Sequence, residues 1–233
     1  MAADVQASGV EQDSSNGRLP PGVRLQILTT EHWSLLSTRA LSWNEAFSRA
    51  SMFLSALSGG VIAFALAAQA TSFDDRFTVF ALLLLTPILF LGIATFVRLV
   101  EINREDVRWV IGMNLLRHAY LEAAPELRPY FITGWHDDEA GIMTTFGATA
   151  GPGGFTHEFV TTPGVLAVVD GIIAGVLAAM LGSRVELGAS LALGIGIVAF
   201  AATIALLSVV QYRRVVRLRG LDHARFPEAP TDA

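Results

Sequence analysis

Four runs of this chain are each long and apolar enough to cross a bilayer, and nothing else in the sequence restricts its fold so strongly. A spanning helix needs about 20 apolar residues at about 1.5 Å each. The first run extends over about residues 50–70 (ASMFLSALSGGVIAFALAAQA) and the second over about 77–100 (FTVFALLLLTPILFLGIATFVRLV). The third starts near Gly164 (GVLAVVDGIIAGVLAAMLG), with Pro163 suited to its first turn, where no backbone donor is needed. The fourth covers about 189–210 (ASLALGIGIVAFAATIALLSVV). Pro87 removes a hydrogen bond inside the second run and predicts a kink there. Apolar residues make up 52% of the chain and charged residues 16%, a balance richer in apolar groups than soluble domains carry.

Arginine placement predicts the orientation. The short connections TSFDDRF and GSRVEL hold one Arg each beside acids. Arg39 and Arg49 precede the first run, Arg98, Arg104 and Arg108 close the second, and Arg213, Arg214, Arg217 and Arg219 follow the fourth. The positive-inside bias therefore places both termini and the central segment in the cytoplasm. The expected fold is an all-α integral membrane protein with four transmembrane helices in two hairpins and helical cytoplasmic extensions. Its expected parts are a disordered tail (1–28), an amphipathic cytoplasmic helix (29–49), a first hairpin (50–100), a cytoplasmic helix with a Gly-rich loop (101–163), a second hairpin (164–210) and a basic helix with a tail (211–233). Helical spacing of Trp33, Leu36, Ala40, Trp43 and Phe47, and of Trp109, Met113, Leu116 and Tyr120, gives the extensions apolar faces that need a partner. Glu45 and Arg49 are spaced to pair within one helix.

Several chemistries are excluded by composition. The chain has no Cys, hence no disulfide, thiolate zinc site, iron–sulfur cluster or cysteine nucleophile. All 16 basic residues are Arg, which removes Schiff-base chemistry from lysine. A net charge of −5 argues against nucleic acid as a partner. No cofactor is expected, and no Ser, His and acid stand at a recognisable catalytic spacing.

Asp170 is the acid inside the third run, and an ionised acid costs about 2.5–3.5 kcal/mol on insertion scales. It is expected to face the bundle and to be satisfied by Ser51, Ser55, Thr95 or Thr203, or by Arg49 or Arg98 reaching up from the interface. Gly59 with the serine stripe, Gly171 with Gly175, and Gly194 with Gly196 are expected packing positions where backbones approach closely, and they motivate self-association. The cluster Arg213, Arg214, Arg217 and Arg219 suits anionic lipid headgroups. In GWHDDEAG and GPGGFTHEFV, His136, Asp138 and His157 are residue types that bind metals, but their spacing matches no metal motif, and the central segment reads as a solvated polar loop. The C-terminal stretch from Phe226 (FPEAPTDA) reads as a disordered tail.

The segments EHWSLLSTRALSWNEAFSRASMF, LRHAYLEAAPELRPYF and GWHDDEAG resemble uncharacterised bacterial four-span membrane proteins over about residues 29–222. That resemblance implies the membrane architecture and a place in the bacterial inner membrane, and no activity, substrate or catalytic residue. The leading expectation is a non-enzymatic scaffold or partner-binding subunit, homo-oligomeric in the lipid bilayer, with a protein partner at its cytoplasmic helices. A small oligomeric channel or transporter lined by the first run is the alternative, followed by a membrane enzyme using the His/acid loop.

Overall fold

The computed structural model describes residues 19–71, 74–147, 162–185, 188–219 and 224–227. Among these the chain is helical, with no strand. Helix α1 is Pro21–Thr71, α2 is Asp75–Ala123, a 3-10 turn follows at Pro125–Tyr130, α3 is Glu139–Thr145, α4 is Thr162–Arg184 and α5 is Ala189–Arg219. Four of them, α1, α2, α4 and α5, are long and apolar enough to cross a membrane. The Gly-rich segment with His157, the tail before residue 19 and the six residues after Pro227 lie outside the described residues.

Local chemistry sets the ends. Helix α1 starts at Pro21, inside the stretch expected to be an unstructured tail, because a proline in the first turn forfeits no helical hydrogen bond and its fixed φ suits the helix. Asp74 caps α2, its carboxylate accepting from the Phe77 N–H at 3.0 Å. Pro87 is contained within α2, which is one element on both sides of it. Pro125 ends α2 by keeping Ala124 out of the helical region, at φ −146° and ψ 76°.

The chain divides into two compact units, the first formed by Met1–Leu41, Val107–Ala150 and His223–Ala233, the second by Ser42–Asp106 and Gly151–Asp222. In the second unit, Ala46, Ala50, Phe53 and Gly60 form the narrow buried stripe of α1, while Leu85, Ile88, Phe96 and Leu99 of α2 join the same core. Helices α4 and α5 meet through small residues. A Cβ on Gly175 would stand 2.9 Å from the Gly196 carbonyl oxygen, and one on Gly196 2.8 Å from the Gly175 carbonyl oxygen. Gly171 lies against Phe200 and Ile204, and Gly182 against Ala192, so the numbers rise along one helix as they fall along the other. Gly171, Gly175 and Gly196 therefore let α4 and α5 approach closely within the chain. Gly59 and Gly194 differ: no described atom lies within 4 Å of where a Cβ would stand.

Candidate functional site

Two polar constellations stand out, one in each unit. In the second unit, the inward face of α4 carries Pro163, Leu166, Ala167, Asp170, Ile173 and Leu177, spaced three or four residues apart. Asp170 is thus placed in the core by helical register alone, and it is fully buried. Gly92 of α2 makes room for it: a Cβ there would collide with the Asp170 carboxyl and press on Phe53. Neither carboxyl oxygen of Asp170 has a hydrogen-bond partner among the described residues.

Of the donors expected around Asp170, Ser51 is exposed on α1 and the other five are engaged elsewhere. Thr95 gives its hydroxyl to the Leu91 carbonyl at 2.8 Å, Thr203 to Ala199 at 2.8 Å and Ser55 to Ser51 at 2.8 Å, each one turn back along its own helix. Arg98 makes two hydrogen bonds to Glu45, at 3.0 and 2.9 Å, and reaches Glu105 at 3.1 Å. Arg49 also binds Glu45, at 2.8 Å, the pairing read from their spacing. Carboxylates of α1 and α2 thus take up both arginines, because pairing where the groups keep solvent avoids the desolvation that reaching the fully buried Asp170 would cost. The Arg98 hydrogen bonds, followed by that of Arg49, hold Glu45 down to about 2, well below its ordinary value of 4.5. Arg214 completes the cluster by binding Glu101 at 3.0 Å, while Arg213 stays exposed. The side chains of Arg217 and Arg219 lie outside the described set.

In the first unit the stretch from Gly134 to Thr145 is a built structure, correcting its reading as a solvated loop. Asn114 of α2, fully buried, holds it. Its amide donates to the carbonyls of His136 at 2.8 Å and Gly141 at 3.1 Å, and its oxygen accepts from Arg117 and the Thr145 hydroxyl, both at 2.8 Å. All four bonding positions of the amide group are used. Close backbone approach requires the glycines: a Cβ on Gly141 would strike the His136 carbonyl, and one on Gly134 the Gly141 carbonyl. Asp138 caps α3 by accepting from the Gly141 N–H at 2.8 Å. Burial, and then the charge of Arg117, lowers the pKa of His32, which stacks on Tyr120 with ring centroids 5.8 Å apart.

This framework presents Asp137, only 7% exposed, to the C-terminal segment. Its two oxygens accept from the backbone N–H of Arg225 at 2.8 Å and of Phe226 at 2.9 Å. Nδ1 of His136 donates to the Phe226 carbonyl at 3.0 Å, and the Phe226 ring stacks on His118 at 4.1 Å. Residues 224–227 are therefore docked, whereas the sequence suggested a tail from Phe226. A pocket of about 290 Å³ adjoins the site; His118 and His136 line it together with Leu121, Pro125, Arg128 and Trp135. Among the described residues no group of three or more His, Asp or Glu is placed to hold a metal ion: His136 and Asp138 serve backbone contacts, and His157 lies outside the described residues.

Sequence reasoning missed Gly92, Asn114 and Phe226. Gly92 could have been singled out as the one small residue amid the bulky run ILFLGI; Asn114 had a weaker signal, a lone amide on the face that carries Met113. Phe226 had none. No family model matches this chain, and no curated protein or solved structure matches it.

Proposed function

We propose that the chain is a multi-pass protein of the bacterial inner membrane that performs no catalysis and acts as an oligomeric scaffold. Its four apolar helices form two hairpins, with both termini and the central segment cytoplasmic. One observation carries the reading. Ser51, Ser55, Ser58 and Gly59 make an exposed stripe along α1, with the Ser55 and Ser58 hydroxyls turned back onto carbonyls of the same helix at 2.8 Å. A face of small residues whose hydroxyls are already satisfied lets a second helix backbone approach closely in lipid. Exposed Leu83, Phe90 and Val198, at 72%, 74% and 68%, supply an apolar exterior suited to acyl chains. Outside the apolar runs, Trp33 and Leu41 are 65% and 69% exposed and form the surface offered to a protein partner. Arg213 suits an anionic headgroup.

The absence of Cys makes the test direct. Ser55→Cys, oxidised in native membranes, should yield a disulfide-linked dimer, since bridging requires Cα atoms about 5.5–6 Å apart. Leu193→Cys on α5 should crosslink far less. A Ser55→Cys protein that stays monomeric on oxidation removes the interface. The stripe also favours a second reading, because turned inward around a closed ring it would line a path with hydroxyls. Ion flux through reconstituted wild type that is silenced by Ser55→Leu would move the assignment from scaffold to channel.

A further inference from the structure

The contacts around Asp137 read backbone. One nearly buried carboxylate takes two consecutive amide N–H groups, an imidazole N–H takes the carbonyl of the second residue, and a flat ring takes that residue's side chain. The site thus specifies a bent dipeptide with an aromatic second position. Pro227 reinforces the match, because a proline narrows the backbone freedom of the residue before it and so lowers the entropy lost when Phe226 docks. On the other side, Asn114 fixes the His136 carbonyl and Gly141, so the site's wall is held by residues that the docked segment does not touch. If the segment leaves, Asp137 loses both of its described hydrogen bonds, and its two oxygens are left to water or to the N–H groups of another chain. The wall therefore remains a receptor for another chain of the same pattern. Three hydrogen bonds and one ring stack are few enough to exchange.

We propose that His118, His136 and Asp137 form a peptide-binding site whose ligand is this chain's own Arg225-Phe226-Pro227 segment, bound in cis as a detachable latch. The latch holds residues 224–227 in place and occludes a site that reads bent Phe-Pro sequences. It is independent of whether copies assemble through α1.

Amide hydrogen exchange on the full-length protein, with a free peptide spanning residues 221–233 as competitor, tests it. The Arg225 and Phe226 amides should exchange at least tenfold more slowly than in the free peptide. That protection should vanish in Asp137→Ala and in Phe226→Ala, while Phe226→Ala, which leaves the wall untouched, should keep Gly134–Thr145 protected. Excess peptide should release the latch and bring Arg225 and Phe226 in the protein to the free rate; a peptide with Ala in place of Phe226 should not. Free-rate exchange in the wild type, or protection that survives both substitutions, overturns the site. Protection that resists millimolar peptide overturns detachability. Protection that fades on dilution of the protein assigns the ligand to a second copy and overturns the cis arrangement.

Discussion

Asp170 and Gly92 depend on each other at the scale of single residues. The carboxyl fits because position 92 has no Cβ, and it has no described donor. Gly92→Ala should therefore destabilise the protein by about 1–3 kcal/mol through overpacking, and Asp170→Ala should restore much of that loss, a non-additivity expected of groups in contact. Asp170→Val should raise the thermal midpoint in lipid nanodiscs relative to Asp170→Asn, since Asn keeps an unsatisfied polar group that costs about 1–3 kcal/mol and Val does not. A midpoint lower for Val than for Asn would mean that the carboxyl is engaged in the folded protein. The sequence made Asp170 legible as an inward-facing acid, because its register with Leu166, Ala167, Ile173 and Leu177 can be read directly. Its partners were not legible. Thr95 and Thr203 can always reach a carbonyl one turn back, and this local bond competes with any bond across helices.

Individual helices were the most legible elements, since twenty apolar residues admit little else, and Pro125 marked the end of α2. The Gly134–Thr145 stretch was not, because its polar residues satisfy backbone groups through Asn114, a residue on a distant helix with no local pattern to announce it. At the same scale, Glu45 fastens α1 to α2 through Arg98, and this clasp titrates. The folded pKa of Glu45 is depressed from 4.5 to about 2, so its stabilisation is fully present above pH 4.5 and is lost as the pH falls towards 2. Both side chains retain solvent, 36% exposed for Glu45 and 29% for Arg98, which limits the contribution to about 1 kcal/mol. Thermal midpoints at low salt between pH 6 and pH 3 should fall more for the wild type than for Glu45→Gln; identical slopes would remove the clasp from the stability of the helix pair.

For the whole molecule, the proposed topology puts residues 19–41, the Gly134–Thr145 segment and the C-terminus on one side of the bilayer. A reporter active only in the cytoplasm should work when fused after Ala233 or inserted near Phe146, and one active only in the periplasm should work at the α1–α2 connection. A periplasmic reporter active at Ala233 would invert the arrangement. In the proposed bilayer, the ion pairs of Arg98 and Arg214 also separate two uses of one charge in time. Arg98 follows Glu45 and Arg214 follows Glu101 along the chain, and until the helices pack and bring these groups together each guanidinium can be read as an address that retains its end of the helix in the cytoplasm. After folding, Glu45, Glu101 and Glu105 neutralise those same groups. On the proposed topology, Arg98 and Arg214 would thus serve first to orient the helices and then, once paired, to hold them against each other.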